Sequence, residues 1–231
     1  VEGVRPRERV HGLDGAGLRL FSDEDETMRQ RGGPGKLIRT RLGGGGWGPT
    51  LTLPRLMYCF TEADTGMTTF DPFRFMIRRA YAEDTDMRLF ITPLHAVNLT
   101  LMQALGLGER YAFWLKELVR INEEEAARAG RKPLPLWDFS GVNTITGEPV
   151  PKSTDPAPMQ WYWEYSHYRK VTGDLVLDRI FDYRKSGRPL PADFGVRLTG
   201  ANIDAHLART RTDLRAWASA NSELVSPIVE A

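Results

Sequence analysis

The order of apolar and polar segments between residues 86 and 141 predicts an α/β layer fold. Three observations carry that expectation. "DMRLFITP" is a short apolar run stopped by Pro93, which suits a central strand. Residues 97–105 and 109–129 then read as two helices separated by "GLG". "RKPLPLWDFSG" repeats the strand pattern and delivers Asp138, Ser140 and Gly141 beyond a second strand end. Strand, helix and strand, with loops at the strand ends, is the unit from which layered α/β sheets are built.

Taken in order, residues 1–50 do not read as a core. Glycine recurs through them, up to the run Gly43 to Gly46, around the acidic cluster Asp23-Glu24-Asp25-Glu26. Such a segment loses much backbone entropy on ordering and offers little apolar area to offset it, so it is expected to be an extended arm or a set of loops, ordered by neighbours. "GGPGKLIRT" lacks the spacing of a phosphate loop and has no strand before it. From Leu51 the texture changes. "LPRLMYCF" fits a buried strand or a short helix. "TTFDPFRFMIRRAYAED" predicts a helix capped by Thr69 or Asp71, with Pro72 in its first turn and a broad apolar side of Phe73, Phe75, Met76, Ile77, Ala80 and Tyr81. "GEPVPKSTDPAP" is a long surface loop. Helical periodicity returns over Gly173 to Phe181 and again from Ile203 to Ala218, the latter carrying Ile203, Leu207, Leu214 and Trp217 on one side. The expected organisation is therefore an arm over 1–50, an α/β domain over 51–183, and a turn-rich linker with a C-terminal helix over 184–231.

Composition narrows the function classes. With 31 basic and 30 acidic side chains, net charge +1, nothing steers the chain towards nucleic acid. No segment approaches 18 consecutive apolar residues, so no transmembrane segment is expected. The single cysteine, Cys59, excludes an internal disulfide, and the four histidines, His11, His95, His167 and His206, are not spaced as a metal cluster. No metal and no cofactor is expected.

The most concentrated stretch is "WYWEYSHYRKVTGDLVLDRIF", residues 161–181. A carboxylate three residues before a histidine can accept the Nδ1 hydrogen bond and leave Nε2 to take a proton, which makes Glu164 an orienter and His167 a base. The alternative is that Glu164 caps the next helix and His167 is a satisfied histidine among tyrosines. His95, just past a strand end, is either a cleft residue beside His167 or a helix cap. Ser140 and Asp138 in "WDFSG" are either site residues or ordinary turn composition. Asp138, Glu148, Glu164 and Asp174 are numerous enough for a carboxylate pair, although number is no evidence of pairing. Trp161, Trp163, Tyr165 and Tyr168 form either an interaction surface, for protein or glycan, or packed core. Strand alternation sends Trp161, Trp163 and Tyr165 to one side and Tyr162 to the other.

"DMRLFITPLHA", "FWLKELVRI", "LPLWDFSGVNTITGEPVP" and "MQWYWEYSHYRKVTGDLVLDRIF" together resemble the C-terminal half of bacterial SGNH (GDSL-like) hydrolases and polysaccharide O-acetyltransferase-like domains, over residues 70–183. The resemblance implies a three-layer α/β/α sandwich with a mainly parallel sheet, here incomplete or degenerate. It also implies an acyl-ester site in which an Asp-x-x-His pair activates a serine. Glu164 to His167 matches that pair with glutamate for aspartate, whose extra methylene shifts the carboxylate by about 1.5 Å unless the backbone compensates. The early Gly-Asp-Ser or Gly-Ser-Ser turn has no counterpart, and Ser22, Ser140, Ser153 and Ser166 do not fit its place in the order. Two explanations follow: a degenerate domain turned to assembly, or an incomplete piece of an esterase. The first is the leading expectation, a non-catalytic accessory or structural subunit of a membrane-associated or cell-envelope complex, periplasmic or envelope-associated, with other protein subunits as partners. The alternative is an acyl or acetyl esterase or O-acetyltransferase acting on a glycan, with His167 as base, Glu164 as orienter and Ser140 or Ser22 as nucleophile.

Overall fold

The computed structural model describes residues 24–45, 59–61, 64–183 and 187–229. Ser22 and most of the "LPRLMYCF" element lie outside the described residues. The chain is a mixed α/β fold in which helices surround a small mixed sheet.

The strand–helix–strand expectation is met in its main parts. Strand β1 (Leu89–Ile91) pairs in parallel with β2 (Leu136–Asp138), in the register Leu89↔Leu136, Phe90↔Trp137 and Ile91↔Asp138. Between them run two helices, Ala96–Ala104 and Gly108–Arg128. The second neighbour of β2 is antiparallel: Val196–Arg197 pairs through Trp137↔Arg197 and Asp138↔Val196. Within this three-stranded sheet one pairing is thus parallel and one antiparallel.

Alternation along the strands divides the apolar residues between two cores. Ile91, Leu136 and Leu198 pack with Phe70, Ile77, Leu115, Leu118, Val119, Ile121, Ile203 and Leu207. Phe139, just past β2, packs instead with Ala96, Val97, Leu175, Val176, Ile180 and Phe194, and this second core extends to Tyr162, Tyr165, Leu214 and Trp217. The helix Ile203–Ala220 joins both cores: Ile203 and Leu207 enter the first, Leu214 and Trp217 the second.

The helix Asp71–Ala82 forms as its periodicity predicts, with Pro72 in the first turn, but its apolar side is narrower than expected. Only Ile77 and Ala80 are buried, while Phe75 is 67% exposed and Met76 is exposed beside it. Its start is fixed by reciprocal bonds rather than a side-chain cap on the first helical turn: Thr68 N–H donates to the Asp71 carboxylate at 2.8 Å and Phe70 N–H to the Thr68 hydroxyl at 2.9 Å. Facing it, the polar end of Gly108–Arg128 is structural. Asn122 bonds both the N–H and the carbonyl of Leu134, at 3.1 and 2.8 Å, fixing the entry to β2. Buried Glu125 receives Arg74 and Arg78 from the opposite helix at 2.8 to 3.0 Å, with Arg128 at 3.4 Å.

The largest departure from expectation is at residues 24–45. They are helical, as Glu24–Gln30 (α1) and Gly33–Thr40 (α2), continued by a π-helical turn over Arg41–Gly45. Ile38 is completely buried and Leu42 nearly so, both in the second core. The glycines that suggest an arm are what permit the packing. A Cβ on Gly35 would collide with the Pro151 carbonyl, and one on Gly33, whose φ is +85°, would lie 2.6 Å from the Pro156 Cα. Arg39 closes the contact by donating to the Pro151 carbonyl at 2.6 Å. The "GEPVPKSTDPAP" loop is a surface loop as expected, and it forms the seat for this helix.

Candidate functional site

Residues 161–181 fold as a hairpin followed by a helix. Tyr162–Glu164 (β3) and His167–Tyr168 (β4) pair antiparallel, with Glu164 directly opposite His167 across the turn Tyr165-Ser166. The helix Lys170–Ile180 follows at once. Asn98, on the first crossover helix, donates to the Tyr165 carbonyl and holds the turn. The hairpin turn brings the carboxylate and imidazole together.

Glu164 is buried and every lone-pair direction is engaged. Its Oε1 faces His167 Nδ1 at 2.5 Å and the Ser166 hydroxyl at 2.5 Å. Its Oε2 accepts from Arg41 Nη1 at 2.9 Å and from the Ser166 N–H at 3.1 Å. The His167 side chain is 72% exposed, so the ring projects outward from a buried carboxylate. With Nδ1–H directed at Glu164, Nε2 carries the lone pair and faces away. The expected orienter and base are therefore brought together.

Of the candidate nucleophiles, Ser22 lies outside the described residues, and neither Ser140 nor the neighbouring Ser166 is bonded to that nitrogen. Ser166 Oγ lies 2.9 Å from the His167 ring, but at Nδ1, on the same side as Glu164. A hydroxyl activated by His167 has to meet Nε2, so Ser166 belongs to the shell that fixes the carboxylate. Ser140 is in a different cluster: its hydroxyl bonds the Tyr111 hydroxyl at 2.9 Å, and its N–H donates to Asp138 Oδ1 at 2.8 Å. Asp138 in turn meets His206 Nε2 at 2.7 Å. The Ser140 N–H bond to Asp138 is that of an Asx turn, and the Asp138 carboxylate ties the sheet to the helix Ile203–Ala220.

His95 is the cap of the first crossover helix. Its Nδ1 accepts from the Val97 N–H at 3.2 Å, which places the proton on Nε2 to donate to the Glu148 carbonyl at 2.9 Å. The ring is completely buried, edge-on to Tyr162 and Trp217. Burial disfavours the imidazolium and lowers its pKa to about 4. Both nitrogens are occupied, so His95 does not join His167 in a cleft.

The aromatics divide differently from a simple alternation. Tyr162 points inward and donates its hydroxyl to the Pro93 carbonyl at 3.0 Å. Tyr165 is buried too, because the turn interrupts the period-two pattern at that residue. Trp161 and Tyr168 pack against the second core, partly buried. Trp163 is the outward one: the Arg169 guanidinium stacks on its ring at 4.0 Å, and both line a cavity of about 270 Å³ with Asp25, Arg29, Pro34 and Pro156. The remaining carboxylates have separate partners: Glu148 accepts the Gln160 and Trp161 N–H groups, and Asp174 pairs with Lys170. Burial raises the Glu148 pKa against the pull of those N–H donors.

Sequence reasoning missed Arg41, Asn98 and His206. None carries a local signal, since Arg41 sits in the glycine-rich segment and reaches Glu164 only through the fold.

Comparison with family models, with curated proteins and with solved structures gives no match. Among the described residues, no helix is long and apolar enough to cross a membrane.

Proposed function

We propose that this chain carries the base and orienter of an ester-processing site of SGNH type, an acyl or acetyl esterase or O-acetyltransferase with a glycan as acyl donor or acceptor. The observation that supports it most is the Glu164–His167 pair: a buried, fully hydrogen-bonded carboxylate holding an outward imidazole by Nδ1 at 2.5 Å. In this reading His167 Nε2 takes the proton of an attacking hydroxyl as its oxygen adds to the ester carbonyl. The ester C–O bond then breaks, and the imidazolium returns the proton to the leaving oxygen. The sheet and its flanking helices are read as part of a three-layer sandwich, and an envelope or periplasmic setting goes with the proposed substrate class.

The test is hydrolysis of a chromogenic acetyl ester and of an acetylated polysaccharide. Turnover that falls to the buffer rate in His167→Ala and at least about tenfold in Glu164→Gln is expected. A wild-type rate equal to buffer, or one unchanged in both variants, defeats the reading.

A second reading, a non-catalytic accessory subunit, is favoured by the exposed apolar side chains Met67, Phe75, Met76, Phe90 and Phe113. An inactive chain recovered from its source in a defined complex is the outcome that selects it.

A further inference from the structure

We propose that Arg41 is a positioning residue for this pair: it supplies the positive charge that buried Glu164 requires, and so leaves His167 neutral and able to accept a proton at Nε2. The inference rests on the reading of His167 as a base and adds how that base is kept in working form.

A carboxylate taken out of water needs a counter-charge as well as hydrogen bonds. Among the described residues, two side chains able to carry positive charge are bonded to Glu164, Arg41 and His167. Were His167 to supply the charge it would be an imidazolium, with no lone pair on Nε2 and no capacity as a base. Arg41 is charged at every relevant pH and occupies Oε2, leaving Oε1 for Nδ1–H and the Ser166 hydroxyl. The charge requirement of the buried group is met without the imidazole.

Of the other ionisable groups around the hairpin, His95, Arg169 and Glu148 are committed elsewhere, and Tyr165 lies beside the Glu164–Arg41 pair itself. His95 is buried and neutral against the Glu148 carbonyl. Tyr165 is held protonated by burial and by the nearby Glu164 charge. Arg169 pairs with Asp25 and stacks on Trp163, and Glu148 accepts backbone N–H groups. Arg41 itself is placed by the helix it continues, through buried Ile38 and Leu42 and the tight seat of Gly33 and Gly35 on residues 151–156. Residues 24–45 thereby act as a brace that carries one cation to the pair.

The experiment is long-range ¹H–¹⁵N spectroscopy of the full chain, reading the His167 ring nitrogens, assigned with His167→Gln, across a pH series for the wild type, Arg41→Lys and Arg41→Gln. Expected is a neutral ring at about pH 7.5 in the wild type, protonated on Nδ1, with Arg41→Lys close to it. In Arg41→Gln the imidazolium persists to higher pH than in the wild type, since the neutral amide removes the charge. A wild-type imidazolium at that pH overturns the proposal without any variant. So does a Gln spectrum that titrates with the Lys spectrum. No turnover is needed, so an inactive chain defeats the ester reading and leaves this result to be read separately.

Discussion

His95 has a pH signature of its own. Its folded-state pKa is lowered to about 4 from an ordinary 6.5 by burial, so between those values the unfolded chain takes up a proton that the folded chain refuses. Stability contributed by the neutral, buried ring is present above about pH 6.5 and is lost as pH falls towards 4. The full shift corresponds to at most about 3 kcal/mol. Urea denaturation at a series of pH values is expected to show this slope in the wild type and a flatter one in His95→Asn. An identical slope in the variant removes the assignment. At the same scale, the sequence spacing of Glu164 and His167 already contained the pair, because residues opposite each other across a two-residue turn are brought together by the hairpin itself. It did not contain the roles of Ser166, which shares the wrong ring nitrogen, or of Arg41, because both depend on where the carboxylate's second oxygen points.

Between elements, the buried carboxylate of Glu125 and the arginines around it tie the helices Asp71–Ala82 and Gly108–Arg128 together beside their shared apolar core. Hydrogen bonds from Arg78 and Arg74 outweigh burial and hold its pKa down to about 2. The stabilisation is therefore complete above the ordinary carboxylate range, near 4.5, and is lost only as pH falls towards 2. Glu125→Ala is expected to cost about 1.5 to 3 kcal/mol at neutral pH, the range for hydrogen bonds to charged groups. Combining it with Arg78→Ala in a double-mutant cycle tests the origin: additive losses would assign the cost to packing instead. Nothing local in the sequence marks Asn122 and Glu125 as buried. Periodicity gave the helix correctly, but burial of Asn122 and Glu125 follows from the partners that meet them, which lie on another helix and at the entry to a strand.

Across the whole molecule, residues 24–45 decide whether the hairpin is braced. Gly35→Ala places a methyl group against the Pro151 carbonyl, with overpacking expected to cost about 1 to 3 kcal/mol. Hydrogen exchange is the measurement: amides of residues 37–41, which donate within the helix, are expected to be protected in the isolated wild-type chain and to lose protection in the variant, while β1 and β2 keep theirs. Rapid exchange of those amides in the wild type would return the segment to the arm that its glycine content suggested. The sequence by itself determined where most helices run, where Pro93 ends a strand, and that Glu164 and His167 lie within reach, because these follow from interactions among residues a few positions apart. Tertiary structure alone decided that glycines of an apparent arm serve close packing, that His95 is a buried cap, and that Asp138 meets His206 across 68 positions. It also decided that Glu164 takes its counter-charge from Arg41, 123 positions away. The reason is physical: periodicity is written locally, whereas a buried charge is satisfied by whichever group the fold carries to it.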